Sequence, residues 1–354
     1  MRKVYIDSVV PGTKLAKAVF GPEGRILLGE GAELNEHFLE KLKVNGIAEV
    51  FIYDDISRDI EIKDVVCDNI RIEAKMLVKN QMEGYASSKA IDDLRINELV
   101  SAIIEELLSN DDILINLSDI KSVDDYTFEH SVNVCIFSLI TGIGIGYNAS
   151  RLKDLGMGAL LHDIGKLKIP EKILKKPSQL TGEEFETIKK HTFYGYEILK
   201  GNSNISMLSA YIALGHHERY DGSGYPLQLK GENIQRYARI VAIADVYDAL
   251  TSNRVYRKKL KPHEVVEYIS SLSAYHFDKE IVDIFMRYIA IYPIGTGVVL
   301  STNEIGIVVR VNRNIPSRPV IRVIRNEKKE LIDHYYEIDL AKRINVHIMD
   351  SCEL

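Results

Sequence analysis

His130, the adjacent pair His162-Asp163, His191, the adjacent pair His216-His217 and Asp245 follow one another along a segment that reads as helices separated by short breaks. Imidazoles and carboxylates spread this widely can meet only if several helices pack around one point, so the array restricts the chain to a helical core with a polar centre. Imidazole nitrogen with carboxylate oxygen, and no thiolate, suits iron, manganese or zinc in a reactive site rather than a structural zinc knuckle. Within each adjacent pair the side chains lie about 100° apart if a helix continues through them, so neighbours reach either side of a metal pair. Asp163, with two oxygens, is the natural bridge. An isolated histidine, or an isolated His-Asp dipeptide, is ordinarily structural; the whole array carries the reading.

The helical pattern runs from Asp124 to Tyr292, with breaks at 142–146, Lys176-Pro177, Gly201-Asn202, the loop Asp221-Gly222-Ser223-Gly224-Tyr225-Pro226 and Lys261-Pro262. Residues 1–60 mix short β-type runs with turns and one helix, capped by Asn35 and stopped at Gly46, and read as a small α/β module. Between them, residues 61–118 read as two amphipathic helices: Ile62, Val65, Val66, Ile70 and Leu77 recur at helical spacing, as do Leu99, Ile103 and Leu107. They either pack on the catalytic core or serve dimerisation or signal transmission. The catalytic segment is placed at 119–292, and the β-rich remainder, 293–354, reads as a small β module without the Arg-x-x-x-Arg and Asp-x-Ser-x-x-Gly pair of a PilZ receptor. The fold class expected is mainly α, with a sheet-bearing module at each end.

The net charge of −6 argues against a general nucleic-acid-binding surface, which needs clustered Lys and Arg. An anionic ligand then needs a local positive site. Cys67, Cys135 and Cys352 show no CxxC spacing and fit a reducing cytoplasm, and no signal-peptide core follows Met1. The most apolar stretch, Val134 to Ile145, is shorter than the roughly 20 residues of a membrane span and reads as a buried helix.

Residues around the array sharpen the picture. His162-Asp163-Ile164-Gly165-Lys166 is followed by Ile169-Pro170, Leu174, Lys176-Pro177 and Leu180-Thr181. His216-His217-Glu218 precedes the Gly-Tyr-Pro loop, and Arg239-Ile240, Ala244-Asp245, Asp248-Ala249-Leu250-Thr251, Arg254 and Tyr256-Arg257 come after it. Across residues 119–292 the chain thereby resembles the HD-GYP branch of the HD-domain metal-dependent phosphohydrolases.

The resemblance implies a phosphodiesterase that opens cyclic di-GMP to pGpG, with GMP left open as a further product, through a hydroxide bridging two divalent ions, iron or manganese. One ion is expected on His130, His162, Asp163 and Asp245, the other on Asp163, His191, His216 and His217. Lys166, Arg254 and Arg257 are implied phosphate contacts, and Tyr225 either stacks on a base or shapes the pocket. Glu218 and Asp221 could orient ligand histidines, while Gly222, Gly224 and Pro226 define the loop. Some members hold a third metal with a glutamate four residues before the first histidine; here Tyr126 stands there and Glu129 adjoins His130, which favours two. Cyclic GMP-AMP as substrate, a non-hydrolytic regulator, docking to diguanylate cyclase domains and a homodimer are the alternatives and partners left open.

Overall fold

The computed structural model of the chain describes residues 1–21, 24–86, 91–110, 126–252, 260–312 and 315–354. Near the N-terminus, β1 (Arg2–Tyr5), β2 (Thr13–Leu15), β5 (Glu33–Leu34) and β6 (Glu49–Tyr53) form an antiparallel sheet in the order β1-β6-β2-β5. A hairpin of β3 (Val19–Phe20) and β4 (Ile26–Leu28) lies outside it. Helix α1 (Glu36–Val44) begins where the Asn35 side chain accepts the Phe38 N–H at 2.9 Å and stops before Gly46, whose φ of +75° suits glycine.

At the other end, β7 (Gly297–Leu300), β8 (Ile305–Arg310), β9 (Val320–Arg325), β10 (Leu331–Asp339) and β11 (Ile348–Cys352) make an antiparallel sheet ordered β10-β9-β8-β7-β11. The two sheet modules meet. Phe51, Ile60 and Ile62 join Ile307 and Ile324 in one apolar cluster, and Arg322 clamps both oxygens of Asp59 at 2.6 and 2.7 Å.

The spacing of Ile62, Val65 and Val66 predicts helix, but the first connector helix, α2 (Asp68–Ala86), starts after them. These residues lie on irregular chain and are buried in two places: Ile62 seals the junction between modules, and Val65 and Val66 enter the main core. Burial of successive residues in different places mimics a helical period. The second connector helix, α3 (Asp93–Ser109), is capped by Asp92, which accepts the Arg95 N–H at 3.1 Å. Both connector helices share one core with the helices that follow.

Those helices are α4 (Tyr126–Ile145), α5 (Ala149–Leu160), the short α6 (Glu171–Leu174), α7 (Gly182–Lys200), α8 (Met207–Gly215), α9 (Arg236–Thr251), α10 (Pro262–Ser271) and α11 (Lys279–Arg287). Their starts are encoded locally: Asn148 and Ser206 cap α5 and α8, a Thr181/Glu184 capping box opens α7, and Asp278 caps α11. Helix α4 is longer than the apolar segment legible in the sequence and, by length and composition, could cross a bilayer. In the fold it is the central helix, packed on α2, α5, α9 and α11, with 72% of Phe128–Ile145 buried.

Candidate metal centre

Five helices deliver the array to one point. His130 projects from α4, His191 from α7 and Asp245 from α9, while His162-Asp163 and His216-His217 lie immediately beyond the C-termini of α5 and α8. The expectation that each adjacent pair sits within a helix is thus corrected: α5 ends at Leu160 and α8 at Gly215, just before the two pairs. The reason is capping. A helix C-terminus leaves carbonyls short of partners, and here imidazole N–H groups add to the backbone N–H groups that the last-turn carbonyls accept. His162 Nδ1 donates to Ala159 O at 2.8 Å, and His216 Nδ1 donates to Ile212 O and Ala213 O at 3.1 and 3.0 Å.

The same bonds select tautomers. His191 Nδ1 donates to Ile188 O at 2.7 Å, so the imidazoles of His162, His191 and His216 present a bare Nε2 inward, while His130 Nδ1 donates to Asp248 Oδ2 at 2.7 Å and turns its Nε2 to Asp245. Nε2 of His191 and Nε2 of His216 stand 3.4 Å apart. Two facing lone pairs repel unless a cation lies between them, and this separation matches one edge of a coordination shell with bonds of roughly 2.1 Å. His162 Nε2 and Asp163 Oδ1 are buried with no hydrogen-bond partner among the described residues. Unsatisfied buried groups of this kind are costly, and a metal ion would satisfy both.

Among the described residues, three groupings bring ligand atoms within 4.8 Å of one another: His130, His162 and Asp245; His191, His216 and His217; and His162, Asp163 and His216. Asp163 lies between the first two. Its Oδ2 is 3.3 Å from His162 Nε2, and its Oδ1 is 3.5 Å from His191 Nε2 and 3.9 Å from His216 Nε2. The residues therefore fit a pair of divalent ions sharing one carboxylate. On the rim, the Lys166 ammonium reaches Asp163 Oδ2 from a 3-10 turn, Ile164–Lys168, rather than from a continued helix. Tyr225 packs on His217 with ring centroids 4.8 Å apart, and Lys189 lies over the Tyr225 ring. Arg254 and Arg257 lie outside the described residues.

Neither proposed orienting acid touches a ligand histidine in the contacts observed. Glu218 instead accepts the backbone N–H groups of Leu227 and Leu229 at 2.6 and 3.1 Å, and Asp221 accepts that of Ser223 at 2.8 Å. Both shape the Gly-Tyr-Pro loop, in which Gly222 adopts φ +87° and a side chain on Gly224 would collide with the backbone of Glu218 and Arg219. The orienting acid that sequence reasoning missed is Asp248, fully buried, with Asn133 donating to its other oxygen at 2.8 Å. The signal was spacing: Asp248 is three residues from Asp245 on α9, and Asn133 three from His130 on α4. Glu129 lines a cavity beside Arg71.

Charge at the centre is uneven. Burial alone would push the His130 imidazole down, but Asp245 and Asp248 outweigh it and raise it to about 9. Burial would raise Asp163, yet Lys166 and His162 hold it well below the usual carboxylate range. Burial depresses His216 far below an ordinary imidazole, and also lowers His191 and His217. His217 keeps 27% of its side chain exposed, so solvent screens part of its shift.

In the metal-free chain these shifts set a pH dependence. The three depressed histidines stabilise the fold above their unfolded value of about 6.5, and that contribution is lost as pH falls below it. His130 acts oppositely: its contribution is complete below about 6.5 and lost as pH rises through about 9. The melting temperature of chelator-treated protein is therefore expected to peak near pH 6.5 to 7. A monotonic rise from pH 5 to 9 would contradict the assigned protonation of His130.

The sequence profile of the HD domain matches residues 143–281, and that of a KOW domain associated with HD domains matches residues 297–354. A cyclic di-GMP phosphodiesterase of Pseudomonas aeruginosa is 32% identical over 269 residues, covering 76% of this chain and 65% of that protein. A cyclic di-GMP phosphodiesterase of Thermotoga maritima is 41% identical over 177 residues, 50% of this chain and 48% of that one. The chain thus spans about half to two thirds of the length of these curated relatives. In fold it is similar to Bd1817, an HDG"Y"P protein of Bdellovibrio bacteriovorus, with a TM-score of 0.53 at 17% identity over 80% of this chain and 97% of that one. With the His-Asp array converging at one centre beside the Gly-Tyr-Pro loop, these likenesses lead to one conclusion: residues 143–281 are an HD domain, similar to that of the cyclic di-GMP phosphodiesterases named above.

Proposed function

We propose that the chain hydrolyses cyclic di-GMP to pGpG, with two divalent ions, iron or manganese, as cofactors. The observation that carries the reading is the placement of Asp163 between two histidine-rich groups, with one oxygen turned to each. His130, His162 and Asp245 would hold one ion and His191, His216 and His217 the other, with Asp163 common to both. Bound there, divalent ions supply positive charge for the phosphate and make water acidic enough to be a nucleophile near neutral pH.

The chain's own residues do the rest. Asp163 holds the Lys166 ammonium at the rim, where a side chain 30% exposed can reach a non-bridging phosphate oxygen. Tyr225, half-buried and backed by His217 and Phe185, offers a ring face on which either purine can stack. Glu218, through Leu227 and Leu229, keeps that ring in place. Arg254 and Arg257 are assigned to the second phosphate by resemblance alone. The substrate class is supported by the relatives described above.

The test is turnover of cyclic di-GMP and cyclic GMP-AMP, with products separated chromatographically, by protein purified without oxygen and loaded with Fe(II) or Mn(II). The expected result is linear dinucleotide from cyclic di-GMP, lost on chelation and restored by metal. Faster cleavage of cyclic GMP-AMP would replace the substrate. No cleavage by protein carrying two ions would overturn hydrolysis in favour of a binding role.

A further inference from the structure

A chain of hydrogen bonds leads from connector helix α2 into the metal centre. Arg71 donates to Asn133 Oδ1 at 2.7 Å, Asn133 Nδ2 donates to Asp248 Oδ1 at 2.8 Å, and His130 Nδ1 donates to Asp248 Oδ2 at 2.7 Å. Its polarity allows one arrangement. A guanidinium only donates, so the amide oxygen of Asn133 must face Arg71 and its NH2 must face Asp248. Asp248, held on one oxygen, then accepts the His130 Nδ1 proton on the other. His130 Nε2 is thereby turned toward Asp245 Oδ1, 3.1 Å away.

We propose that Arg71 is a positioning residue for His130, acting through Asn133 and Asp248, and that α2 thereby tunes the affinity of the His130/His162/Asp245 half of the centre. This inference rests on the two-metal reading of that site. Its placement gives it a use. Arg71 is half-buried and lines a cavity of about 100 Å3, shared with Lys17, Phe20 and Phe51 of the N-terminal module. Without Arg71, the Asn133 amide loses the partner that fixes its orientation, and Asp248 keeps Ser252 Oγ at 3.2 Å but no longer a locked amide donor. Any shift of the N-terminal module against α2 would act on His130 along the same path. The His191/His216/His217 half has no member in this chain of bonds.

The test is Mn(II) titration of the metal-stripped 354-residue chain, following free Mn(II) by electron paramagnetic resonance. Loss of an outer partner of a metal ligand typically weakens binding by about 10- to 100-fold. Arg71→Met is therefore expected to weaken one of two Mn(II) sites by about 10-fold and to leave the other within about twofold. Asn133→Ala should weaken the same site, and Arg71→Lys, which retains a donor, should recover most of the loss. Lys75→Ala, on the same cavity and helix, should change neither. Unchanged affinities in Arg71→Met would overturn the proposal. So would equal weakening of both sites with a lowered melting temperature of the metal-free protein, or equal effects of Arg71→Met and Lys75→Ala.

The readout needs no cleavage. Selective weakening in a protein that cleaves no cyclic dinucleotide would support the inference and overturn the phosphodiesterase reading. Cleavage by the wild type with unaltered Mn(II) binding in Arg71→Met would do the reverse.

Discussion

Asp163→Asn is expected to lower turnover by on the order of 10³-fold or more and to leave the protein unable to retain two metal ions together. The carboxylate is 2% exposed and serves both groups, with Oδ2 near His162 and Oδ1 near His191 and His216. An amide keeps the shape but replaces one anionic oxygen with an NH2 group, which would aim hydrogens at a cation or at the lone pairs of neighbouring imidazoles. It also removes the counter-charge of Lys166, leaving an ammonium beside ions of the same sign. Metal analysis of Mn(II)-loaded variant, set beside single-turnover cleavage, measures the effect. Two retained ions with activity within about tenfold of wild type would mean that Asp163 is not the shared ligand.

The centre was readable from sequence because metal chemistry limits its ligands to a few residue types, and these recur here in one ordered array. Its local geometry was not. Periodicity lets helices run on through His162-Asp163 and His216-His217, whereas both helices stop there because the histidines serve as caps, and no apolar spacing encodes that. Asp248 and Asn133 were hidden for another reason. Each bonds to a partner more than a hundred residues away, and each is ordinary on its own helix until α4 and α9 are packed together. The same holds for the terminal modules: their strands follow from turns and alternation, but their contact through Phe51, Ile62, Ile307 and Ile324 is a long-range outcome. Glu218 illustrates the converse. Its place beside two ligand histidines suggested an orienting role, and its buried carboxylate is used on loop backbone instead.

Packing around the centre is tight enough for one methyl group to disable it. The 3-10 turn that follows Asp163 crosses α7 so closely that a Cβ on Gly165 would overlap His191 O and Gly195 N. Both are backbone atoms, so no rotamer change relieves the overlap and the turn must lift away from the helix. Lifting it separates Asp163 from His191, whose Oδ1 to Nε2 distance is 3.5 Å. Gly165→Ala is accordingly expected to cost roughly 1 to 3 kcal/mol in the metal-free chain and to remove stoichiometric binding at the His191/His216/His217 group. Gly195 faces the same crossing from α7, but a Cβ there would meet Ala213 Cβ at 3.1 Å and Gly165 N at 3.4 Å. A few tenths of an ångström accommodate that, so Gly195→Ala should lose less than about 1 kcal/mol and keep both ions. Urea unfolding of the stripped variants and metal analysis of the reloaded ones test the contrast. Equal behaviour of the two would show that the crossing yields more readily than its geometry implies, and that the distance from Asp163 to His191 does not depend on Gly165.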